Sequence, residues 1–386
     1  MVICSNINAQ TKKLSPCEIQ SDSVIDMLIP QFYQNDFDST GSLIDHWSSE
    51  CGLYHPQYRA KVLYVISINE YRQSLWDTFL YENLPDFEDW LIKSRDTTWK
   101  RLRHRGRLIK YFGSVPVGRA YDSFSRDQAN YLLGYDDLSA SEQIVLTLLS
   151  EDDSTYFKKL KTTNSDSSIL ANLYQSEIRR TLEEPDYFIA CGMGIWSPDR
   201  EASILGSHPS LVGSCGQWHS KWGWEMDFDL RILKSRDSFS FIKKDFDLYT
   251  DRFAGWAING FYTRNISKTY NKRLNLKIGG GWDALSVLYE KEVDGETVDD
   301  FVFANSFSGV LGLEWSMDIG NNMCLKLAYH RHFMSYSWRD RTTLSGNAHS
   351  LNLNISWLDR HSKNKALKNL RFDPYTESLK GLGYAN

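Results

Sequence analysis

The sequence predicts an α + β chain: an N-terminal all-α domain of helical hairpins, followed by an antiparallel up-and-down β-barrel of eight strands. Apolar residues recur at helical spacing up to Glu183, and the period changes to two after Asp186. In Trp222–Ile232, apolar side chains alternate without a fault with Gly, Glu, Asp and Arg, so a strand here has one apolar and one charged face. Eight segments share this alternation, and an even strand number is typical of an up-and-down membrane barrel.

The predicted helical domain covers residues 21–183. Val24, Leu28 and Phe32 fall at helical spacing. Ser139 and Glu142 have the spacing of a capping box before an apolar run. The strongly basic segment Lys100–Lys110 could meet an anionic partner, although a solvated helix face is the simpler interpretation.

The predicted barrel covers residues 187–358. Its candidate strands are Tyr187–Trp196, Ser210–Trp218, Trp222–Leu233, Arg252–Thr263, Leu274–Ala284, Ser306–Met317, Met323–Phe333 and Leu351–Trp357. The connections alternate between short turns, such as His219–Lys221, and long polar segments, such as Lys234–Asp251 and Ser286–Asp300. Short turns at one end and long loops at the other are typical of barrels in a membrane. The acidic segment Ser286–Asp300 and the segment Leu205–Pro209 are therefore expected to be displayed, either to bind a surface ligand or as solvated coverings.

Alternation alone does not decide whether the apolar face meets lipid or lines a ligand cavity in a soluble, lipocalin-like barrel. The apolar faces are about ten residues long, which suffices to cross a bilayer at barrel tilt. Large aromatic residues lie near the strand ends with aliphatic residues between them, as in interfacial girdles. These features favour lipid on the outside. The predicted girdle residues are Trp222, Trp224, Trp256, Trp282, Trp315 and Trp357.

The opposite face carries carboxylates and cations that can pair with one another inside a small barrel. Eight strands enclose little more space than side chains fill, so we expect a packed polar plug and no water-filled pore. The predicted interior polar network consists of Glu225, Asp227, Asp229, Arg231, Lys277, Glu314, Lys326, His330 and His332.

Residues 187–358 resemble the small eight-stranded outer-membrane barrels of Gram-negative bacteria, in the size class of the OmpA transmembrane domain and OmpW. The resemblance is architectural and is carried by the alternation, the aromatic girdles and the loop asymmetry. It implies the bacterial outer membrane, with lipid and lipopolysaccharide as partners. Because an even strand number leaves both termini at the short-turn end, it also implies a periplasmic helical domain and a basic periplasmic tail over residues 359–386. The expected function is then a non-enzymatic anchor or scaffold whose helical domain binds a periplasmic protein.

The triplet His330-Arg331-His332 is the most suggestive of chemistry. A lipid A-modifying acyl hydrolase or transferase is the first alternative function, and a soluble ligand carrier is the second. The expected role is an interior hydrogen-bond network for the histidines and outer-leaflet contacts with lipopolysaccharide phosphates for Arg331, Arg339 and Arg341. The sequence contains no P-loop, G-x-S-x-G or HExxH motif, and we expect no metal and no cofactor.

Composition and cysteine positions set further limits. A net charge of −5 gives no indication of nucleic-acid binding. No run approaches the about 20 apolar residues of a membrane helix.

Ala9 precedes Gln10 where signal peptidase could cleave, so residues 1–20 are interpreted as the remnant of an export signal with a linker. Cys17 with Cys51, and Cys191 with Cys215, could form disulfides in a periplasm, and free thiols are the alternative.

Overall fold

The computed structural model describes residues 16–53, 55–83, 120–150, 153–243, 246–267, 269–293, 296–336 and 344–377. The chain divides into two compact units between Glu177 and Ile178. The first is helical, and the second contains a closed barrel of eight antiparallel strands, which confirms the predicted α + β class. Within the described part of the chain, none of the helices has both the length and the hydropathy that crossing a membrane requires.

The helices lie in the order expected from the 3.6-residue period. They are α1 (Pro16–Tyr33), α2 (Phe37–Cys51), α3 (His55–Ser67), α4 (Ala120–Leu132), α5 (Ala140–Ser150), α6 (Asp153–Thr162) and α7 (Ile169–Glu183). Residues 73–83 are also helical. The capping box forms, since the backbone N–H of Ser139 donates to Glu142 Oε2 at 2.7 Å and the N–H of Glu142 donates to Ser139 Oγ at 3.3 Å.

Expectations for the N-terminal part need one correction. The helix α1 begins at Pro16, so residues 16–20 are helical and do not belong to a linker. The rest of the proposed export-signal remnant, residues 1–15, lies outside the described residues, as does the basic segment Lys100–Lys110. The helix α7 ends at Glu183 and the first strand begins at Asp186, where the sequence period changes.

A buried carboxylate joins three parts of the helical unit. Asp77 accepts hydrogen bonds from the Tyr71 hydroxyl at 2.5 Å, the Ser141 hydroxyl at 2.6 Å and the backbone N–H of Leu170 at 3.1 Å. Burial raises the pKa of Asp77 above its ordinary value, although these hydrogen bonds oppose the shift. The carboxylate therefore fixes three segments that are distant in sequence.

One of the two disulfides considered from the sequence forms, and the other does not. Cys17 and Cys51 form a disulfide with Cα atoms 5.5 Å apart, which joins the start of α1 to the end of α2. Closing a loop of 34 residues restricts the unfolded chain and stabilises the fold by about 3–4 kcal/mol. Cys191 and Cys215 are free and exposed, so the second disulfide considered from the sequence does not form. Cys191 lies opposite Gly213 and Cys215 opposite Ile189, so the two sulfurs are offset along the strands.

The strands pair with their sequence neighbours, and the first strand pairs with the last to close the barrel. They are β1 (Asp186–Pro198), β2 (His208–Trp218), β3 (Trp222–Lys243), β4 (Phe246–Asn265), β5 (Lys272–Val293), β6 (Glu296–Gly320), β7 (Met323–Ser335) and β8 (Ser345–Asp359). The chain enters β1 and leaves β8 at the end that also carries the short turns, because Asp186 lies opposite Trp218, beside the β2–β3 turn, and Tyr187 lies opposite Asp359.

The expected long loops after the third and fifth strands are wrong. Lys234–Asp251 and Ser286–Asp300 largely continue as paired strand, so β3–β4 and β5–β6 form hairpins that extend well past the predicted ends. The segment Leu205–Pro209 is not a displayed loop either. Residues Arg200–Leu205 form a 3₁₀ helix, and the Leu205 side chain is buried.

The described part of the basic tail is folded. The helix α8 (His361–Asn369) follows β8 directly, and Leu367 and Phe372 are buried. Arg360 and Lys363 are buried as well, in ion pairs described below. The tail therefore packs as part of the second unit.

Candidate functional site in the barrel

The outer face of the barrel is apolar and exposed. Ile189 and Met193 are 68% and 69% exposed, and similar aliphatic and aromatic side chains continue around the strands. Five of the six predicted girdle residues, Trp222, Trp224, Trp282, Trp315 and Trp357, are exposed, and Trp256 is half-buried. A soluble ligand barrel would have the opposite arrangement, with its apolar residues inside. The soluble-carrier alternative is therefore contradicted by the direction of these side chains.

The inner face holds the ionic residues. All nine side chains predicted for the interior network are at most 6% exposed and lie at inward-facing strand positions. Two lysines form the centre of this network. Lys326 Nζ lies 2.6 Å from Glu225 Oε1 and 3.3 Å from Glu314 Oε2. Lys277 Nζ lies 3.1 Å from Glu225 Oε2, 3.3 Å from Glu314 Oε2 and 3.6 Å from Asp227 Oδ2.

The lysines also contact aromatic rings, which bound the network. Lys326 Nζ lies 4.3 Å from the centroid of the Phe188 ring, and Lys277 Nζ lies 4.6 Å from that of Phe261. Asn275 Nδ2 donates to Glu314 Oε1 at 3.0 Å. Each buried charge therefore has an opposite charge or a polar partner, as burial without water requires.

A second ionic group is centred on Arg231. Its guanidinium lies 3.0 Å from Asp283 Oδ2 and 3.3 Å from Asp229 Oδ2, and stacks over the Trp196 ring at 4.4 Å. The Tyr336 hydroxyl also donates to Asp283. Asp283 was not among the predicted network residues, although its place on the charged face of the fifth strand was visible in the alternation.

The two histidines lie among these groups and away from lipid. The His330 ring stacks on Phe261 with centroids 5.2 Å apart, and His332 Nε2 lies 3.0 Å from Ser350 Oγ. Glycine makes room for the stacked pair, since a Cβ at Gly279 would lie 2.7 Å from Phe261 Cδ1 and one at Gly312 would lie 2.5 Å from His330 Cδ2. Among the described residues, no three His, Cys, Asp or Glu side chains form a group that could hold a metal ion.

Of the three arginines predicted at the outer leaflet, the structure describes one. Arg331 is half-buried, and its guanidinium pairs with Asp199 Oδ2 at 2.7 Å and contacts His349. Its charge is therefore already balanced by a carboxylate. Arg339 and Arg341 lie outside the described residues.

A third ionic group, missed in the sequence, closes the short-turn end. Asp186, the first residue of β1, lies 2.7 Å from Arg273, 2.7 Å from Arg360 and 3.0 Å from Lys363. Arg360 also lies 2.6 Å from Asp318. These partners are up to 177 residues apart in the chain, and no local pattern marks them as neighbours.

Apolar layers separate and cover the ionic groups, so the expected all-polar plug is only partly correct. Near the short-turn end the inner face carries Phe188, Ala190, Trp218, Cys324 and Leu358. At the opposite end, inward-facing side chains form a larger apolar cluster, which includes Trp196, Leu205, Phe239, Phe241, Phe253, Leu285, Val287, Val302, Ala304, Met334, Tyr336, Leu344 and Ala348. The interior thus alternates between ionic and apolar layers along the barrel.

A closed antiparallel barrel with an exposed apolar outside and a buried ionic inside has the architecture of a small transmembrane β-barrel. No protein-family model matches the chain, and no curated protein matches it. The second unit is similar in fold to solved outer-membrane barrels. One is Neisserial surface protein A, at 14% identity and a TM-score of 0.30 over 45% of this chain and 96% of that one.

Two further solved structures show the same likeness. A major outer membrane protein from Thermus thermophilus has 10% identity and a TM-score of 0.33, over 45% of this chain and 99% of that one. The outer membrane enzyme PagL has 9% identity and a TM-score of 0.24, over 45% of this chain and 98% of that one. At these identities the likeness concerns the fold alone.

Replacing Lys326 with methionine tests the central network. The variant removes the shortest ion pair of Glu225 and leaves buried carboxylates with one lysine, so we expect a loss of about 3–5 kcal/mol in unfolding free energy. The measurement is urea unfolding in phospholipid vesicles. The matched control, Lys272→Met at an exposed position, should leave the midpoint unchanged. The double variant Lys326→Met/Glu225→Gln should recover part of the loss; a double variant less stable than the single one would contradict this account.

Proposed function

We propose that this chain is a non-enzymatic outer-membrane protein whose barrel anchors the helical unit and presents it to a periplasmic protein. The observation that carries the proposal is the division of the barrel into an exposed apolar outside and a buried, internally paired ionic inside. Such a surface is stable in a bilayer and would aggregate in water. The lipid and lipopolysaccharide of an outer membrane are the surroundings it fits.

The packing of the interior supports anchoring over transport. The ionic groups around Lys326 and Arg231 lie between two apolar clusters, and the inward-facing Trp196 and Lys326 side chains are fully buried. A barrel of eight strands has room for these side chains and little else. We therefore infer a closed barrel that does not conduct ions.

The connections support a periplasmic place for the helical unit. Only Glu184 and Pro185 separate α7 from β1, and α8 starts two residues after β8 ends. Both connections leave the barrel at the short-turn end, which faces the periplasm in outer-membrane barrels. The Cys17–Cys51 disulfide suits that oxidising compartment.

The surface of the helical unit supports a scaffolding role. Tyr33 and Tyr131 are more than half exposed, and Tyr135 lies in edge-to-face contact with Tyr131. Exposed tyrosines are enriched at protein interfaces because they bury a large area at little cost in side-chain entropy. A periplasmic protein is the partner that these residues fit.

The lipid A-modifying alternative is less well supported by the site. His330 and His332 lie inside the barrel and contact Phe261 and Ser350, whereas an acyl hydrolase or transferase acting on lipid A needs its nucleophile and base where lipid can reach them. We therefore assign these histidines to the interior packing.

Barrel closure and membrane anchorage can be tested together. The unheated protein should migrate faster than the boiled protein on a detergent gel and should remain in the membrane fraction after a carbonate wash, because the paired strands stay closed until heated. In planar bilayers the same preparation should give no stepwise conductance. Recovery in the soluble fraction would refute anchorage, and steady single-channel openings would refute the closed interior.

The scaffolding role can be tested by photocrosslinking in cells that express the full chain. Benzoylphenylalanine at Tyr131 or Tyr33 should give an adduct with another envelope protein. The matched control is Ile189, which is similarly exposed but lies on the lipid-facing surface, and it should give no protein adduct. Absence of adducts at both tyrosines, with the barrel correctly inserted, would refute the scaffold.

The enzyme alternative predicts a change that the proposal does not. The double variant His330→Gln/His332→Gln should leave the lipid A mass spectrum identical to that of cells with the wild-type chain. Cells without the chain provide the comparison. A lipid A species that appears with the wild type and disappears with the double variant would restore the enzymatic interpretation.

A further inference from the structure

A cavity of about 440 Å³ lies at the short-turn end of the barrel, between the turns that join β2 to β3 and β4 to β5. We propose that it is a binding site for a small oxyanion, a carboxylate or phosphate group. Its walls include Trp218, Tyr270 and Arg273, with Arg179, Lys221 and Lys363 around them. The proposal goes beyond anchoring, and binding itself does not depend on which side of a membrane the cavity faces.

Three of the residues that line this cavity carry a buried donor with no hydrogen-bond partner among the described residues. The donors are Trp218 Nε1, Arg273 Nη1 and the Tyr270 hydroxyl. Trp218 and Tyr270 are 3% and 9% exposed, and the Arg273 side chain is 11% exposed. A buried donor without an acceptor is destabilising and rare in folded proteins, so three such donors among the residues of one cavity indicate a place made for acceptor atoms.

The donors are held in place by contacts that do not use them. Arg273 Nη2 donates to Asp186 at 2.7 Å, and the guanidinium lies 4.9 Å from the Trp218 ring centroid, so Nη1 is fixed while remaining available. Tyr270 packs edge-to-face on Tyr375 with ring centroids 5.7 Å apart. Burial raises the pKa of Tyr270, which keeps the proton on its hydroxyl. A ligand would therefore find the donors already oriented.

The charge of the walls selects an anion. The lining includes four cationic residues, Arg179, Lys221, Arg273 and Lys363, and two acidic ones, Glu183 and Asp186. Asp186 is already engaged by Arg273, Arg360 and Lys363, so it offers little to a cation. Guanidinium, indole and phenol donors around an excess of positive charge suit carboxylate or phosphate oxygens. The volume is in the range of small-molecule sites, enough for a short peptide end or a phosphorylated sugar.

The test is calorimetric titration of the full chain in a neutral detergent, with two probes. Inorganic phosphate represents the phosphate source, and acetyl-alanyl-alanine represents the peptide carboxylate, with its C-terminal amide as the neutral counterpart. We expect saturable one-to-one binding of at least one anion and none of the amide. Arg273→Gln should weaken binding at least ten-fold and Trp218→Phe several-fold. Lys272→Gln, on the adjoining exposed position, should change it less than two-fold.

A second measurement separates lost binding from lost folding. Each variant must keep the heat-dependent gel shift, and in the wild type the indole N–H resonance of Trp218 should move on titration with the bound anion. If neither anion binds saturably, the proposal is refuted and the donors serve water alone. An anion that binds while the Trp218 resonance stays in place would also refute this cavity as its site. An equal loss of affinity in Lys272→Gln and Arg273→Gln would also refute it, because the effect would then be general surface charge.

Discussion

The pairing of Lys277 and Lys326 with Glu225 and Glu314 is the interaction on which the barrel depends. Each strand has one apolar and one charged face. When the apolar face meets lipid, the charged side chains must point into the barrel. An unpaired ion there would cost several kcal/mol. Two lysines shared between the same two glutamates remove that cost, since each ammonium lies within 3.3 Å of both carboxylates.

The apolar layers at the two ends increase the strength of this pairing. They exclude water from the ionic groups, and an electrostatic interaction is stronger where the surrounding dielectric is low. Phe188 contributes to both effects, because it belongs to the apolar layer near the short turns and also lies under the ammonium of Lys326. Apolar packing and ion pairing therefore stabilise the interior together, since removing Phe188 would weaken both.

The alternation of residues was sufficient to predict the number of strands, because each separate alternating segment marks one strand. Within those segments the period of two also predicts which face each residue occupies. It was not sufficient for strand length. Past Leu233 the outward positions of β3, such as Lys234 and Arg236, are polar, whereas Phe239 and Phe241 point inward. The polarity of the two faces of this strand is therefore reversed, and its sequence resembles a loop. The alternation also does not give the register between neighbouring strands. A disulfide between Cys191 and Cys215 was therefore compatible with the sequence, although the observed register excludes it. The ion pairs of Asp186 could not be predicted from the sequence, because their members come from both ends of the barrel sequence and from β5.

The ion pair between Asp186 and Arg360 joins the first strand to the residue that follows the last. The two residues lie 174 positions apart, so the ribosome has synthesised all eight strands before Asp186 can meet Arg360. A chain that stopped before Arg360 could still contain every strand, yet its first carboxylate would lack two of its three counterions. Two of the three counterions of Asp186 therefore become available only after the last strand has been made, which couples closure of the barrel to the segment that follows β8.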